Sequence, residues 1–138
     1  MNRLAIELKT ETEENSKDSE PDYTPYFKPG ETIQGQVVWV LEKNPKQVFL
    51  RLFWYTKGKG TEDIEVIDEI TFDSPLQQEH RPFEISLPQS PYSFSGQLVS
   101  LIWALELVTD SPDEAIQKEI VLSPYGHEID LSKQKQDK

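Results

Sequence analysis

The chain has no cysteine, which excludes a disulfide framework, a thiolate metal centre and a cysteine nucleophile. Basic residues are scarce as well: 14 Lys and Arg stand against 25 Asp and Glu, a formal net charge of −11. Such an excess repels phosphate backbones and anionic lipid, so neither nucleic acid nor a membrane surface is an expected partner. No apolar run reaches the roughly 18 residues that a membrane-spanning helix requires. The longest, Leu98 to Leu107, already contains Ser100 and Glu106, and no integral membrane segment is expected. The start, Met1-Asn-Arg-Leu-Ala-Ile-Glu-Leu-Lys9, lacks the apolar centre of a secretory signal, and a cytoplasmic location is expected.

What the chain has instead is a series of short alternating apolar segments separated by turn residues. At 138 residues and 36% hydrophobic it can form one domain with a real core. Leu4 to Leu8 alternates as a first strand, and Glu11 to Asp22 is an acidic stretch with a single Lys17, read as a solvated loop. Ile33, Val37, Trp39 and Leu41 share a face with Gly35, while Gln34 and Gln36 face the other way. After the Asn44-Pro45 turn, Val48, Leu50, Leu52 and Trp54 alternate with Phe49, Arg51, Phe53 and Tyr55, and Lys57-Gly-Lys-Gly60 closes the strand in a hairpin. Ile64, Val66, Ile70 and Phe72 keep an even spacing, and Asp68 on the same face implies a bulge or interruption. Phe83, Ile85 and Leu87 mark a short strand, Val99 to Leu107 a long and very apolar one, and Glu119 to Leu122 a closing one. About seven strands with no helical period between them predict an all-β, antiparallel sandwich of immunoglobulin-like type. The domain is expected to span residues 1–124, with 125–138 a polar, disordered C-terminal tail.

Two stretches stand out as punctuation. Phe27-Lys-Pro-Gly-Glu31 is followed by Gly35 and a long apolar strand, and Pro88, Pro91, Ser93 and Gly96 lead into the strand holding Trp103. Pro29 fixes its own φ and Gly30 can take φ > 0, so the pair turns the chain just before the apolar residues begin. In this order and separation the two stretches resemble those of arrestin-like β-sandwich proteins, and the chain looks like a single arrestin-type lobe. Within that group it resembles the arrestin-related trafficking and bacterial sporulation-control proteins. The resemblance implies an arrestin-like fold and an adaptor role. It does not extend to receptor desensitisation, because the chain has one lobe where arrestins have two and shows no counterpart of their phosphate-sensing residues.

Residues with chemical potential have plainer explanations. His80 and His127 have no partners at metal-ligand spacing except Glu128 and Asp130 beside the second, so no metal is expected. The serines near Pro91 lack a Gly-x-Ser-x-Gly elbow and suit backbone bonding in turns. Asp63, Glu65, Asp68 and Glu69 are explained by solvation, and Glu11 to Asp22 lacks the order of a calcium loop. Lys57 and Lys59 beside Gly58 suit a solvated hairpin tip better than an anion site. Trp39, Trp54 and Trp103 share faces with aliphatic neighbours and are expected in the core. No catalytic residue, cofactor or metal is assigned.

One set resists these explanations. If Trp54 points inward, then Phe49, Arg51, Phe53 and Tyr55 point outward, with Val38 and Val40 doing likewise on the preceding strand. Contiguous apolar surface of this kind marks interfaces, and aromatics with arginine are enriched there. The expectation is a non-catalytic cytoplasmic adaptor or scaffold module whose Phe49, Arg51, Phe53 and Tyr55 contact a protein partner or a second copy in a homodimer. Alternatively the 11–27 segment or the tail covers this row. A small-ligand or carbohydrate-binding sandwich is the other functional reading, and it requires an exposed tryptophan.

Overall fold

The computed structural model describes residues 2–9, 24–60, 62–110, 113–125 and 127–131, and within them the alternating segments are strands. In chain order these are β1 (Arg3–Leu8), β2 (Tyr26–Phe27), β3 (Thr32–Val40), β4 (Gln47–Gly58), β5 (Ile64–Thr71), β6 (Gln78–Ser86), β7 (Phe94–Ser95), β8 (Val99–Asp110), β9 (Glu114–Leu122) and β10 (Ile129–Asp130). β2, β7 and β10 are two-residue strands, and the other seven correspond to the segments that alternation marks out. One sheet has the order β1-β3-β6, antiparallel throughout. In the other, β5, β4, β8 and β9 are antiparallel neighbours. β8 is shared lengthwise: Trp103 to Thr109 pair with β9, while Leu101 and Ser100 pair with β7. Parallel pairs of β2 with β9 and β10 with β7 complete this layer.

The two sheets enclose one core. Ile33, Val37 and Trp39 enter it from the first sheet, and Leu50, Leu105 and Trp103 from the second. Full burial of side chains of this size contributes roughly 1.5–3 kcal/mol each. The two buried indoles also satisfy their N–H groups, Trp39 donating to the Leu76 carbonyl at 2.7 Å and Trp103 to the Pro91 carbonyl at 2.8 Å. Trp54 is half-buried against the same core. Gly35 lies where β1 crosses β3, and a Cβ there would collide with the Glu7 carbonyl oxygen.

The Pro29-Gly30 turn has the expected conformation. Gly30 has φ +80°, and the turn closes by a bond from Glu31 N–H to the Lys28 carbonyl at 3.0 Å. The Glu31 carboxylate accepts from Lys28 N–H at 2.8 Å. The second stretch docks on the first: Gly30 N–H reaches the Pro88 carbonyl at 3.3 Å, and Leu87 N–H the Glu31 carbonyl at 2.9 Å. Further on, buried Ser93 accepts Leu122 N–H on its hydroxyl at 2.9 Å, the backbone role that a turn serine suits.

Three expectations need revision. The bulge implied by Asp68 is present, since Leu52 pairs with Asp68 but Phe53 pairs with Val66 and Ile67 is the extra residue, but the even spacing across it does not hold. One inserted residue exchanges the faces of everything beyond it, so Ile70 packs on the core while Ile64 and Val66 face outward, opposite Tyr55 and Phe53. The four do not share a face. Strand pairing also continues past residue 124, since Ile129 and Asp130 lie beside Phe94 and Ser95. Finally, Phe83 to Ser86 is only the end of a nine-residue strand that starts at Gln78, and Leu87 follows it. The acidic loop from Glu11 to Asp22 and the tail from Ser132 to Lys138 lie outside the described residues.

Two substitutions test this architecture. Trp103→Ala removes a fully buried indole and should cost about 3–5 kcal/mol in denaturant melts; a loss below about 1 kcal/mol would place Trp103 outside the core. Gly30→Val should cost about 1–3 kcal/mol, because a β-branched residue is strained at this φ. The nearest atom to its Cβ is the movable end of the Gln89 side chain, so strain rather than space sets the cost. An unchanged melting midpoint would contradict the turn.

Candidate protein-interaction surface

β4 runs between β5 and β8, and its odd-numbered residues face away from the core. Phe49, Arg51, Phe53 and Tyr55 therefore form an outward row, as the alternation predicts. The Arg51 guanidinium lies 5.0 Å from the centroid of the Phe49 ring, and the Phe53 and Tyr55 rings stack at 5.9 Å and 24°. Arg51 faces a carboxylate on each side, its Nε being 3.9 Å from Glu69 on β5 and 3.7 Å from Glu106 on β8. That buried Nε has no hydrogen-bond partner, so the two contacts are loose ion pairs.

Cross-strand neighbours extend the row sideways. Val66, Phe53 and Ala104 stand abreast on β5, β4 and β8, and Ile64, Tyr55 and Ile102 form the next rank. Phe53 is only 4% exposed although it belongs to the outer face. The accessible apolar area comes instead from Ile64 and Val66, which are 68% and 46% exposed. Alternation could not identify these two, because the bulge at Ile67 reverses their parity. Val38 and Val40, expected beside the row, belong to β3 in the other sheet and lie on the opposite outer surface. A row of valines on a neighbouring stretch of sequence need not be a neighbour in the sheet.

At the Tyr55 end the face turns acidic. Glu119 on β9 stands opposite Ala104. Burial holds its carboxyl above the usual carboxylate range, Glu128 raises it further, and Lys57 partly opposes the shift. The Tyr55 hydroxyl is also pushed up, first by burial and then by Glu119. Beside these groups an open groove of about 430 Å³ runs between the ends of β4 and β8 and the β7–β10 pair, lined by Lys57, Ser100, Ile102, Glu119 and Glu128 among others.

Of the other groups considered for chemistry, Glu69 stands beside Arg51 on this face, and none of the rest forms a catalytic or metal arrangement with it. His80 sits opposite Val38, and His127 Nδ1 is 2.9 Å from the Glu128 carbonyl oxygen. Asp63, Glu65, Asp68 and Glu69 are exposed. Among the described residues no group of three His, Asp or Glu side chains is arranged to hold a metal. What the outer face can do is bury apolar area and pair charge.

A second cluster escaped the sequence reading. Glu79 and Arg81 stand opposite Trp39 and Val37, on the core side of β6. Arg81 Nε and Nη2 donate to the two Glu79 oxygens at 2.6 and 3.1 Å, and Nη2 also reaches the Asp73 carbonyl at 2.9 Å. The guanidinium covers the Trp39 and Phe72 rings at 5.9 and 6.0 Å. This pair roofs the apolar interior at its edge. Its sequence signal was the odd parity it shares with Phe83, Ile85 and Leu87.

No protein-family model matches the chain, and no curated protein matches it. Among solved structures it is similar to the sporulation control protein Spo0M from Bacillus subtilis, with 16% identity and a TM-score of 0.61. The match covers 88% of this chain and 49% of that one, so the chain spans about half the length of Spo0M. A β-glucosidase from Listeria innocua aligns at 12% identity and a TM-score of 0.43, over 94% of this chain and 16% of that one, and that similarity carries no argument. The fold is an arrestin-like β-sandwich.

The hydrogen bonds from Arg81, followed by other contacts, hold the Glu79 carboxyl below its usual range. A carboxylate whose folded value is depressed contributes stability that is fully present above its unfolded value and is lost as pH falls through the folded one. Glu79→Gln should therefore lower stability by about 1–2 kcal/mol near neutrality. The gap to the parent should close as pH drops from about 5 toward 3, followed by denaturant melts across pH. A pH-independent gap would contradict the ion pair.

Proposed function

We propose that this chain is a non-catalytic protein-interaction module of arrestin-like type, working in the cytoplasm and docking a partner through the outer face of the β5-β4-β8-β9 layer. The observation that carries this reading is the contiguous apolar surface made by exposed Ile64 and Val66 beside Phe53, Tyr55 and Ile102, with Arg51 in the rank that borders it. Apolar area left in water is unfavourable, and aromatics with arginine are the residue types enriched where proteins meet. Two large side chains buried on docking supply roughly 3–5 kcal/mol before association entropy is subtracted, enough for a contact that additional area would tighten.

The edges of the sandwich are less suited to receive a partner. β6 carries Pro82, which has no N–H to donate, and β5 is bulged at Ile67 and studded with Glu65, Asp68 and Glu69. The burial of Trp39 and Trp103 weighs against an aromatic platform for carbohydrate. Similarity to a protein named for sporulation control is compatible with a regulatory adaptor.

A photo-reactive residue in place of Val66 should give discrete protein adducts in native cells, whereas the same residue in place of Val38, on the opposite surface, should give none. Absence of adducts at position 66, or equal labelling at both, would overturn the assignment of the face.

A further inference from the structure

Resting on that docking face, we infer that its occupant is a basic, apolar segment of a different protein, one interspersing Lys or Arg with large apolar side chains, and not a second copy of this chain. The argument is charge complementarity around the apolar ranks. Arg51, the cation in the rank beside them, already faces Glu69 and Glu106. Around it the face and its groove present Glu69, Glu106, Glu119 and Glu128 against Arg51 and Lys57. Carboxylates thus border the apolar ranks both in the Arg51 rank and at the groove.

A second copy would bring the same carboxylates and another net charge of −11 to the contact. Like charges brought into contact near a protein surface repel each other and oppose the apolar gain of this face. A segment carrying Lys or Arg reverses the sign of that contribution while its apolar side chains cover Ile64 and Val66. The groove supplies a place for one such cation between Glu119 and Glu128. Burial first, and Glu128 second, hold the Glu119 carboxyl above its usual range, and an entering ammonium or guanidinium would oppose both.

The probe is a fluorescein-labelled synthetic peptide of about 16 residues built from Leu and Lys, with counterparts in which Gln or Glu replaces Lys, followed by fluorescence anisotropy against the full chain. The Lys peptide should bind at least about tenfold more tightly than the Gln peptide, and added salt should weaken it. Glu69→Gln with Glu119→Gln should weaken it about fivefold or more. Glu7→Gln with Glu84→Gln makes the same change in net charge on the outward face of the other sheet and should leave binding unaltered. A Lys peptide no tighter than the Gln peptide overturns the inference, as does equal weakening by both pairs, which would report bulk charge alone. Self-association in light scattering that Ile64→Asp abolishes would also overturn it, by making a second copy the occupant. Adducts from position 66 that map to a neutral or acidic segment would refute the basic partner while leaving the docking face intact; absence of adducts removes both.

Discussion

Twelve consecutive residue pairs join β4 to β8, from Gln47 opposite Asp110 to Gly58 opposite Val99. That single antiparallel ladder sets both surfaces of the larger layer. Its inward side places Leu50, Leu52, Leu105 and Leu107 against the three-stranded sheet, and its outward side ranks Phe49, Arg51, Phe53 and Tyr55 against Val108, Glu106, Ala104 and Ile102. A slip of one residue would exchange the two sets and put Arg51 and Glu106 into the core. The core and the candidate surface are therefore two consequences of one register.

The ends of the sandwich are closed by polar contacts of defined geometry. At one, Pro29-Gly30 and Leu87-Pro88 bind each other through backbone groups, joining the start of β3 to the end of β6. At another, the Glu79–Arg81 pair roofs Trp39 and Phe72 with its polar edges bonded to backbone at Leu76 and Asp73. Inward-parity charges are tolerated there because each is matched by the other and by carbonyl or amide groups. The same devices, with Pro82 and the bulge at Ile67, blunt the sheet edges, while Ile64 and Val66 remain exposed on the outer face of the larger layer.

Much of this was legible from local pattern. Alternation identified the seven long strands, the inward tryptophans and the outward set on β4, because side-chain period in a strand is a property of the backbone and survives any tertiary arrangement. The Pro-Gly turn was legible for the same reason, its φ values being dictated by two residues. What local pattern could not supply was adjacency. Val38 and Val40 were expected beside the aromatic row and lie on the other sheet, while Ile64 and Val66, not expected beside the row, border it.

The sequence by itself determined which residues alternate, where the chain turns and that the surface is strongly acidic, since these follow from residue chemistry and spacing alone. Only the tertiary structure decided which strands are neighbours, where one inserted residue reverses the faces of β5, and how Arg51 comes to lie between Glu69 and Glu106 from strands well separated along the chain. The physical reason is that strand pairing is long-range. It minimises exposed apolar area and unpaired backbone over the whole chain at once, and no window of sequence contains both partners.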